Sequence, residues 1–474
     1  MVGGGITALA AAHRLREIDP ALEMVVLEAG ERLGGVIATQ RRGGFLVERG
    51  PDMFTTRQAE AIDLCHRLGL ADQVIDTNAQ HRRALIVRGG RLYPVPAGFT
   101  LMAPVRMWPV LTTPVLSIGG KLRLAWEYFV PARREGGDES LASFARRRLG
   151  RQAFERLVQP LIGGIYTADA EKLSMAAAMP EFVELEQKYG GLIRGARRGG
   201  LAGRSATRQG QGSGARYGLF VSLREGLESL VTALAARLPA SSVRLQSPVS
   251  RIARSGEGGW ELEFGTPPRR ERFGAVIVAT GAPAAARLLA ECAPELSAEL
   301  ASIEYAGVAI VTCAYRRDQF AHPLDAFGVV VPLVEKRKIL SVSLSSVKFP
   351  GRAPEGSVLL RIFLGGACQP EVLELDDAEM LSMVERELGE LLGATGKPLW
   401  AEAARWRGAM PQYHVGHLER VERIRALTAQ QPGLQLAGNQ FTGVGLPQCI
   451  RSGEEAAQRI VDISLRERIA SRGA

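Results

Sequence analysis

The sequence predicts a mixed α/β protein: a doubly wound parallel sheet drawn from both ends of the chain, carrying a helical insertion and a β-rich segment. Three observations predict it. A glycine-rich loop at residues 3–5 opens directly into a run with apolar residues at helical spacing. The continuously apolar strand 24–27, the strand 275–281 that ends in a small-residue turn and the strand 434–437 read as parallel strands of one buried sheet. Residues 94–224 break that pattern with Pro-punctuated apolar runs followed by helical ones.

The elements follow in order. Residues 6–18 form the first helix, with Ala8, Leu9, Ala12 and Leu15 on one face. Residues 24–27 form the next buried strand, and residues 84–87 an apolar strand behind Arg82 and Arg83. Residues 249–253 and 260–264 flank the turn Ser255-Gly256-Glu257-Gly258-Gly259, a hairpin signal. Residues 305–365 hold at least four short β-rich runs, including 308–315 and 358–364. The chain closes with a strand at 434–437, a Gly-rich loop and a helix from about residue 448. The plan is one discontinuous dinucleotide-binding domain (1–90, 243–300 and 400–474), a helical insertion (91–225) and a β-rich substrate-binding domain (301–399).

Composition narrows the partners. The net charge of +9 suits nucleic acid, anionic lipid or an acidic ligand. No nucleic-acid-binding motif is present, so lipid and carboxylate ligands remain. The five cysteines lack clip or redox spacing, which predicts a reducing compartment without disulfides. His414 and His417 are the only close histidine pair, and no metal site is expected. No stretch of ~20 apolar residues predicts a membrane span, and the chain enters the glycine loop with no signal peptide. The expectation is a cytoplasmic protein.

The first chemistry-bearing segment is Gly3-Gly4-Gly5-Ile6-Thr7-Ala8, followed by Glu28. The first glycine permits the tight turn, the second lets backbone approach a pyrophosphate, and Ala8 is small enough for helix–strand packing. A pyrophosphate would then meet free N–H groups at a helix N-terminus. Glu28 ends the following strand, where a carboxylate bonds ribose hydroxyls. Near the other end, Gly443-Val444-Gly445-Leu446 precedes a helix and offers a second set of backbone N–H groups.

Glu28-Ala29-Gly30-Glu31-Arg32-Leu33-Gly34-Gly35 resembles the glycine-doublet flavoproteins, which include amine oxidases, carotene desaturases and protoporphyrinogen oxidases. The resemblance implies FAD as the cofactor, with Arg32 at its phosphate or ribose region. Gly50-Pro51-Asp52-Met53 narrows it to the oxygen-dependent protoporphyrinogen and coproporphyrinogen oxidases. Residues 138–150, Pro160-Leu161-Ile162-Gly163-Gly164-Ile165-Tyr166, Trp406 with Met410-Pro411-Gln412-Tyr413, and Gly443 to Ile450 are similar to that family in order. In this resemblance Gly50, Pro51, Asp52, Met53, Val249, Trp406, Val444, Gly445 and Leu446 are further FAD contacts.

The same resemblance implies a porphyrinogen substrate, oxidised to the porphyrin in heme biosynthesis with dioxygen as acceptor. Arg83 matches an arginine that pairs with a substrate propionate. Gly164, Phe327, Gly328, Val330 and Phe363 match positions around the ring, with Phe363 where some members carry Met. No Ser/His/Asp set or paired carboxylates suggest a dedicated base. A second cation among Arg57, Arg82 and Lys348 would favour coproporphyrinogen, which carries propionates where protoporphyrinogen carries vinyls. Two other classes stay open: a glycine-doublet enzyme acting on an amine or carotenoid, and a non-catalytic flavin-fold binding protein.

Two expectations concern surfaces and the chain start. Residues 96–131 combine Phe99, Trp108, Trp126, Tyr128 and Phe129 with Lys and Arg, and residues 187–224 carry no acid. That suits peripheral attachment to an anionic membrane surface at the inner face of the cell membrane. A buried insertion with a solvated Arg/Gly loop has the same composition. A homodimer is a candidate assembly. A doubly wound fold normally places a strand of ~5–6 residues before its glycine loop. Only Met1 and Val2 precede it here, which predicts a natural chain that starts several residues upstream.

Overall fold

A computed structural model describes residues 1–133, 136–198 and 219–472, with side chains placed through residue 462. Its parallel sheet runs in the order Val243–Arg244, Val26–Leu27, Val2, Val276–Val278, Leu434–Leu436. The chain leaves Val2 for residues 26–27 on one side and 276–278 on the other. That reversal is the topological switch point at which such sheets bind ligands. The segment preceding the loop is short, but its backbone is paired. Leu27 N–H donates to Met1 O (2.9 Å), Val2 N–H to Ile277 O (2.9 Å), Gly3 N–H to Leu27 O (2.8 Å) and Ala279 N–H to Val2 O (2.9 Å).

The first helix is Ile6–Ile18, with the bounds the apolar spacing predicts. Its small residues let the C-terminal helix, Leu446–Arg472, cross it closely. A Cβ on Gly453 would lie 2.1 Å from Thr7 O. Ile6, Leu9 and Ala10 bury against Leu446, Cys449 and Ile450 at this crossing. The expected hairpin forms as Val249–Arg254 and Trp260–Phe264, with Arg269–Phe273 as a third strand. Trp260, Leu262 and Phe264 alternate inward and pack on Val276 and Val278.

A seven-stranded sheet makes the second layer, in the order Trp400–Pro411, Tyr305–Arg316, Ser357–Gly365, Ser341–Leu344, Gly328–Val330, Ala84–Arg88, Arg91–Pro94. It takes strands from 84–94 and 400–411 as well as from the 301–399 segment. Pairing decides this: Tyr305–Arg316 is flanked on both sides by long antiparallel partners, and Gly328–Val330 pairs parallel with Ala84–Arg88. Helix Asp377–Leu392 packs on this sheet, started by a capping box between Asp376 and Glu379.

The stretch expected as a helical insertion, 91–225, is mainly helical over residues 107–197, but Phe220–Leu223 is a strand that pairs with Phe54–Thr55 and Val74–Asp76. Leu141–Leu149 is capped by Ser140, whose Oγ accepts from Ser143 N–H, and Gln159–Tyr166, Pro180–Tyr189 and Leu192–Arg197 surround the same core. A fully buried ion pair, Glu127 with Arg148, ties it together. Glu127 Oε1 also accepts from Leu192 N–H (2.7 Å) and Oε2 from Ile193 N–H (3.0 Å), which anchors the last of these helices. Residues 199–218 of the acid-free stretch lie outside the described residues. Among the described residues, no helix is long and apolar enough to cross a membrane.

Candidate functional site

The glycine loop leaves the switch point and caps the first helix with backbone alone. Gly5 is the N-cap, and no side chain bonds the first-turn N–H groups. A Cβ on Gly5 would meet nothing within 4 Å, so space is open in front of the helix end. Glu28 reaches over the loop: Oε2 accepts from Gly4 N–H (2.6 Å) and Oε1 from Gly30 N–H (2.7 Å). Ala29 and Gly30 are exposed beside it. Val249 opens its strand next to residues that hold this turn, where Ser247 N–H donates to Glu28 O (2.8 Å) and Gln246 N–H to Gly30 O (2.9 Å).

Arg32 shapes the glycine doublet. Its guanidinium donates to the carbonyls of Leu33 (3.0 Å), Gly35 (2.6 Å) and Ile37 (2.8 Å), closing the turn that carries Gly34 and Gly35. Gly34 pairs with Gly5. Gly50 comes equally close to the end of that turn: a Cβ there would lie 1.9 Å from Val36 O. Trp406 Nε1 donates to Arg49 O (2.8 Å) and holds this strand end. Residues 28–37, 49–53 and 406 are therefore one continuous wall.

The C-terminal loop closes the cleft. Cys449 and Leu446 pack beside Ile6, while Val444 packs on the insertion's core. Tyr413, fully buried and stacked on His417 at 4.2 Å, accepts from Gly443 N–H (3.0 Å). His417 Nε2 sits 3.1 Å from Phe441 O, and burial pushes its pKa down to about 4. His417 is thus held in the core, while His414 stands partly exposed 3.7 Å from Glu304. Among the described residues, no group of three or more His, Cys, Asp or Glu could hold a metal.

A cavity with about 1180 Å³ of non-protein space, mouth included, lies between the seven-stranded sheet and the insertion. Its lining includes Gly164, Phe327, Gly328, Val330 and Phe363, together with Asp52 and Met53 from the wall just described. Sheet register explains the grouping. Val330, Ser341 and Phe363 are successive cross-strand partners, and Gly328, Ser343 and Arg361 form the adjacent row. Arg83 does not line the cavity. Its side chain grips Asp325, with Nε donating to Asp325 O (2.9 Å) and Nη2 to the carboxylate. Burial would raise the Asp325 pKa, but Arg83 holds it below its usual value.

Val95, Leu101 and Ser343 also line the cavity and carry no sequence signal of their own. Phe99, expected on a membrane-facing surface, is instead buried against the cavity, and Lys348, one of the candidate second cations, ends the short helix that follows the central strand carrying Ser343. Behind them is a buried charge cluster. Asp52 Oδ2 is 2.9 Å from Lys348 Nζ and 3.2 Å from Arg361 Nη1. Burial alone would raise the Asp52 pKa. The two cations outweigh it and hold the carboxyl far below the usual carboxylate range.

An uncapped helix N-terminus at the switch point, a carboxylate at the next strand end and an adjoining apolar cavity define a dinucleotide-dependent oxidoreductase. The chain belongs to the flavin-containing amine oxidoreductase family, whose profile matches residues 8–461, and its cofactor is FAD. It is 33% identical to a coproporphyrinogen III oxidase of Bacillus subtilis (strain 168), covering 96% of each chain. It is 36% identical to a coproporphyrinogen III oxidase of Propionibacterium freudenreichii subsp. freudenreichii, covering 98% of this chain and 91% of the relative. A solved structure from Exiguobacterium sp. 255-15, provisionally named a protoporphyrinogen oxidase, is 32% identical with a TM-score of 0.85 and covers 97% of each chain.

The residues fit the dinucleotide. The open space before Gly5 suits a pyrophosphate. Buried Thr280 Oγ1, Gln440 Oε1 and Gln448 Oε1 have no partner along the same cleft, which leaves polar atoms for a ligand to satisfy.

Proposed function

We propose that this protein oxidises a porphyrinogen, of the coproporphyrinogen III or protoporphyrinogen IX type, to the porphyrin, with dioxygen as electron acceptor. The cavity carries this reading: a slot walled by Phe327, Val330, Phe363 and Leu161, meeting Asp52 and Met53 of the cofactor-side wall. An apolar slot with a charged corner suits a flat macrocycle whose polar groups lie at its rim. Names of relatives 30–36% identical over nearly the whole chain support it.

In this reading Gly3, Gly4, Gly5, Ile6, Thr7, Ala8 and Glu28 hold the dinucleotide, with Ala29, Arg32, Gly34, Gly35 and Val249 completing that end. Gly50 to Met53, Trp406 and Val444 to Leu446 flank the ring. When bound, FAD supplies a two-electron acceptor for a C–H of the macrocycle. The chain contributes position and dryness: stiff aromatic walls orient the ring and exclude water. Of the lining residues only Asp52 and Lys348 carry charge. Asp52 is held ionised in its pair, so no lining histidine or neutral carboxyl stands ready to shuttle protons, and released protons pass to solvent. Arg83 meets a substrate carboxylate by exchanging it for Asp325.

The test is oxidation of each porphyrinogen side by side by FAD-loaded protein, read as porphyrin fluorescence and hydrogen peroxide. Turnover of neither, or of an amine in their place, would overturn the reading.

Peripheral attachment to the inner face of the cell membrane belongs to the same proposal. Trp108, Ile118, Leu122, Trp126 and Phe129 are 61–78% exposed, a cluster unusual for a solvated surface. Arg194 and Arg197 stack on Tyr128 beside it. Such a surface suits anionic lipid. Co-sedimentation with phosphatidylglycerol vesicles at low salt is expected to capture the protein, and its absence would remove the attachment. A homodimer is the proposed assembly, checked by sedimentation.

A further inference from the structure

We propose that Lys348 and Ser343 form a carboxylate-binding corner of the cavity that favours a tetracarboxylate macrocycle over a dicarboxylate one. This rests on the porphyrinogen reading above.

Lys348 is 6% exposed and lines a mainly apolar cavity, in which it and Asp52 are the charged residues and Ser343 stands beside them. The corner carries surplus positive charge. Lys348 and Arg361 share the single carboxylate of Asp52. Arg352 and Glu48 lie close enough to feel the same cluster. Three cations thus face two carboxylates, a balance of +1 in a buried place. A buried charge without a counter-ion is unfavourable until an anion completes it.

Unused donors point the same way. Ser343 Oγ and Arg361 Nε lack hydrogen-bond partners, and Arg361 Nη1 meets only the Asp52 carboxylate, at 3.2 Å. Ser343 and Arg361 are cross-strand partners, and Phe363, two residues along, lines the cavity, so this row faces the ligand space. An ammonium has three donors; one meets Asp52 and another the Met53 sulfur at 3.9 Å. Asp52 keeps Arg361 when Lys348 turns to a ligand.

A dicarboxylate macrocycle carries both acids on one edge and presents vinyl groups elsewhere. A tetracarboxylate presents an acid on every pyrrole. A fixed cation inside the slot therefore selects the tetracarboxylate.

The test is a Soret titration of FAD-loaded protein with coproporphyrin III and protoporphyrin IX. K348M is expected to weaken coproporphyrin binding about tenfold or more and protoporphyrin less than about threefold. K348R should restore most of the loss, and S343A should weaken coproporphyrin about threefold. Wild-type affinity for coproporphyrin in K348M overturns the proposal, as does equal weakening for both porphyrins. A changed flavin midpoint potential with unchanged porphyrin affinity also overturns it, assigning the charge to the cofactor. If K348M loses its flavin, S343A decides, and wild-type coproporphyrin affinity there overturns the corner. Wild-type protein that binds neither porphyrin defeats the porphyrinogen reading itself.

Discussion

Two glycines on the cofactor wall separate binding from folding. Gly5 has φ −74° and ψ 175°, extended backbone that any residue adopts, and an added Cβ enters open space. Gly5→Ala therefore changes the stability of the apo protein by no more than about 1 kcal/mol, since a weaker N-cap is offset by a stiffer unfolded chain. The methyl occupies the space in front of the helix end, where the pyrophosphate is proposed to sit. Wild-type protein with free FAD at about 100 times Kd gains about 2.7 kcal/mol of stability, and a tenfold loss of affinity removes about 1.4 of it. Gly50→Ala behaves oppositely. Its Cβ would lie 1.9 Å from the backbone oxygen of Val36, which no side-chain rotation relieves. Overpacking of that kind costs about 1–3 kcal/mol in the apo protein. The assay pairs flavin absorbance after gel filtration with melting curves taken with and without added FAD. The argument fails if Gly5→Ala keeps wild-type flavin and its full FAD-induced shift, or if apo Gly50→Ala melts with the wild type.

Further predictions follow from buried charge. His417 is neutral in the fold with a pKa near 4, while the unfolded imidazole takes a proton below about 6.5. Stability is complete above that pH and falls by about 3 kcal/mol as pH drops towards 4; denaturant midpoints should show this slope, and His417→Gln should flatten it. An unchanged slope refutes the assignment. Arg148→Met leaves the Glu127 carboxylate fully buried with two backbone donors, an expected loss of about 3–5 kcal/mol in urea melts, partly relieved by adding Glu127→Gln; a loss under about 1 kcal/mol contradicts it. Arg83→Ala breaks a pair whose side chains are 42% and 32% exposed, so stability should move by less than about 1 kcal/mol while KM for a porphyrinogen rises. An unchanged KM would remove Arg83 from the substrate site.

Local signals in the sequence were enough for the elements nearest the cofactor. The bounds of Ile6–Ile18 follow from apolar spacing, and the paired strands of residues 249–264 from alternation around a glycine turn. Glu28 could be placed because an acidic residue ending a buried strand has few other places to be. Most cavity residues were legible only through resemblance, since Phe327, Val330 and Phe363 read by themselves as ordinary strand core. Val95, Leu101 and Ser343 gave no local signal, and Phe99 was read as membrane-facing when it is buried at the cavity, because nothing in their immediate neighbours says which way they face.

By itself the sequence determined a dinucleotide loop, its helix, its acidic partner and a second glycine-rich helix start, all properties of contiguous residues. Tertiary structure alone decided three things. It joined 84–94 and 400–411 to the strands of 301–399, because a strand's alternation defines its faces but not its neighbours. It turned Arg32 onto three carbonyls of its own turn and Arg83 onto Asp325, because a guanidinium takes whatever acceptors the fold brings within reach. It also brought Asp52 to Lys348 and Arg361, some 300 positions further along the chain, in one buried cluster beside the cavity. Burial makes those charges interact strongly, and burial is a property of the fold that no stretch of sequence carries.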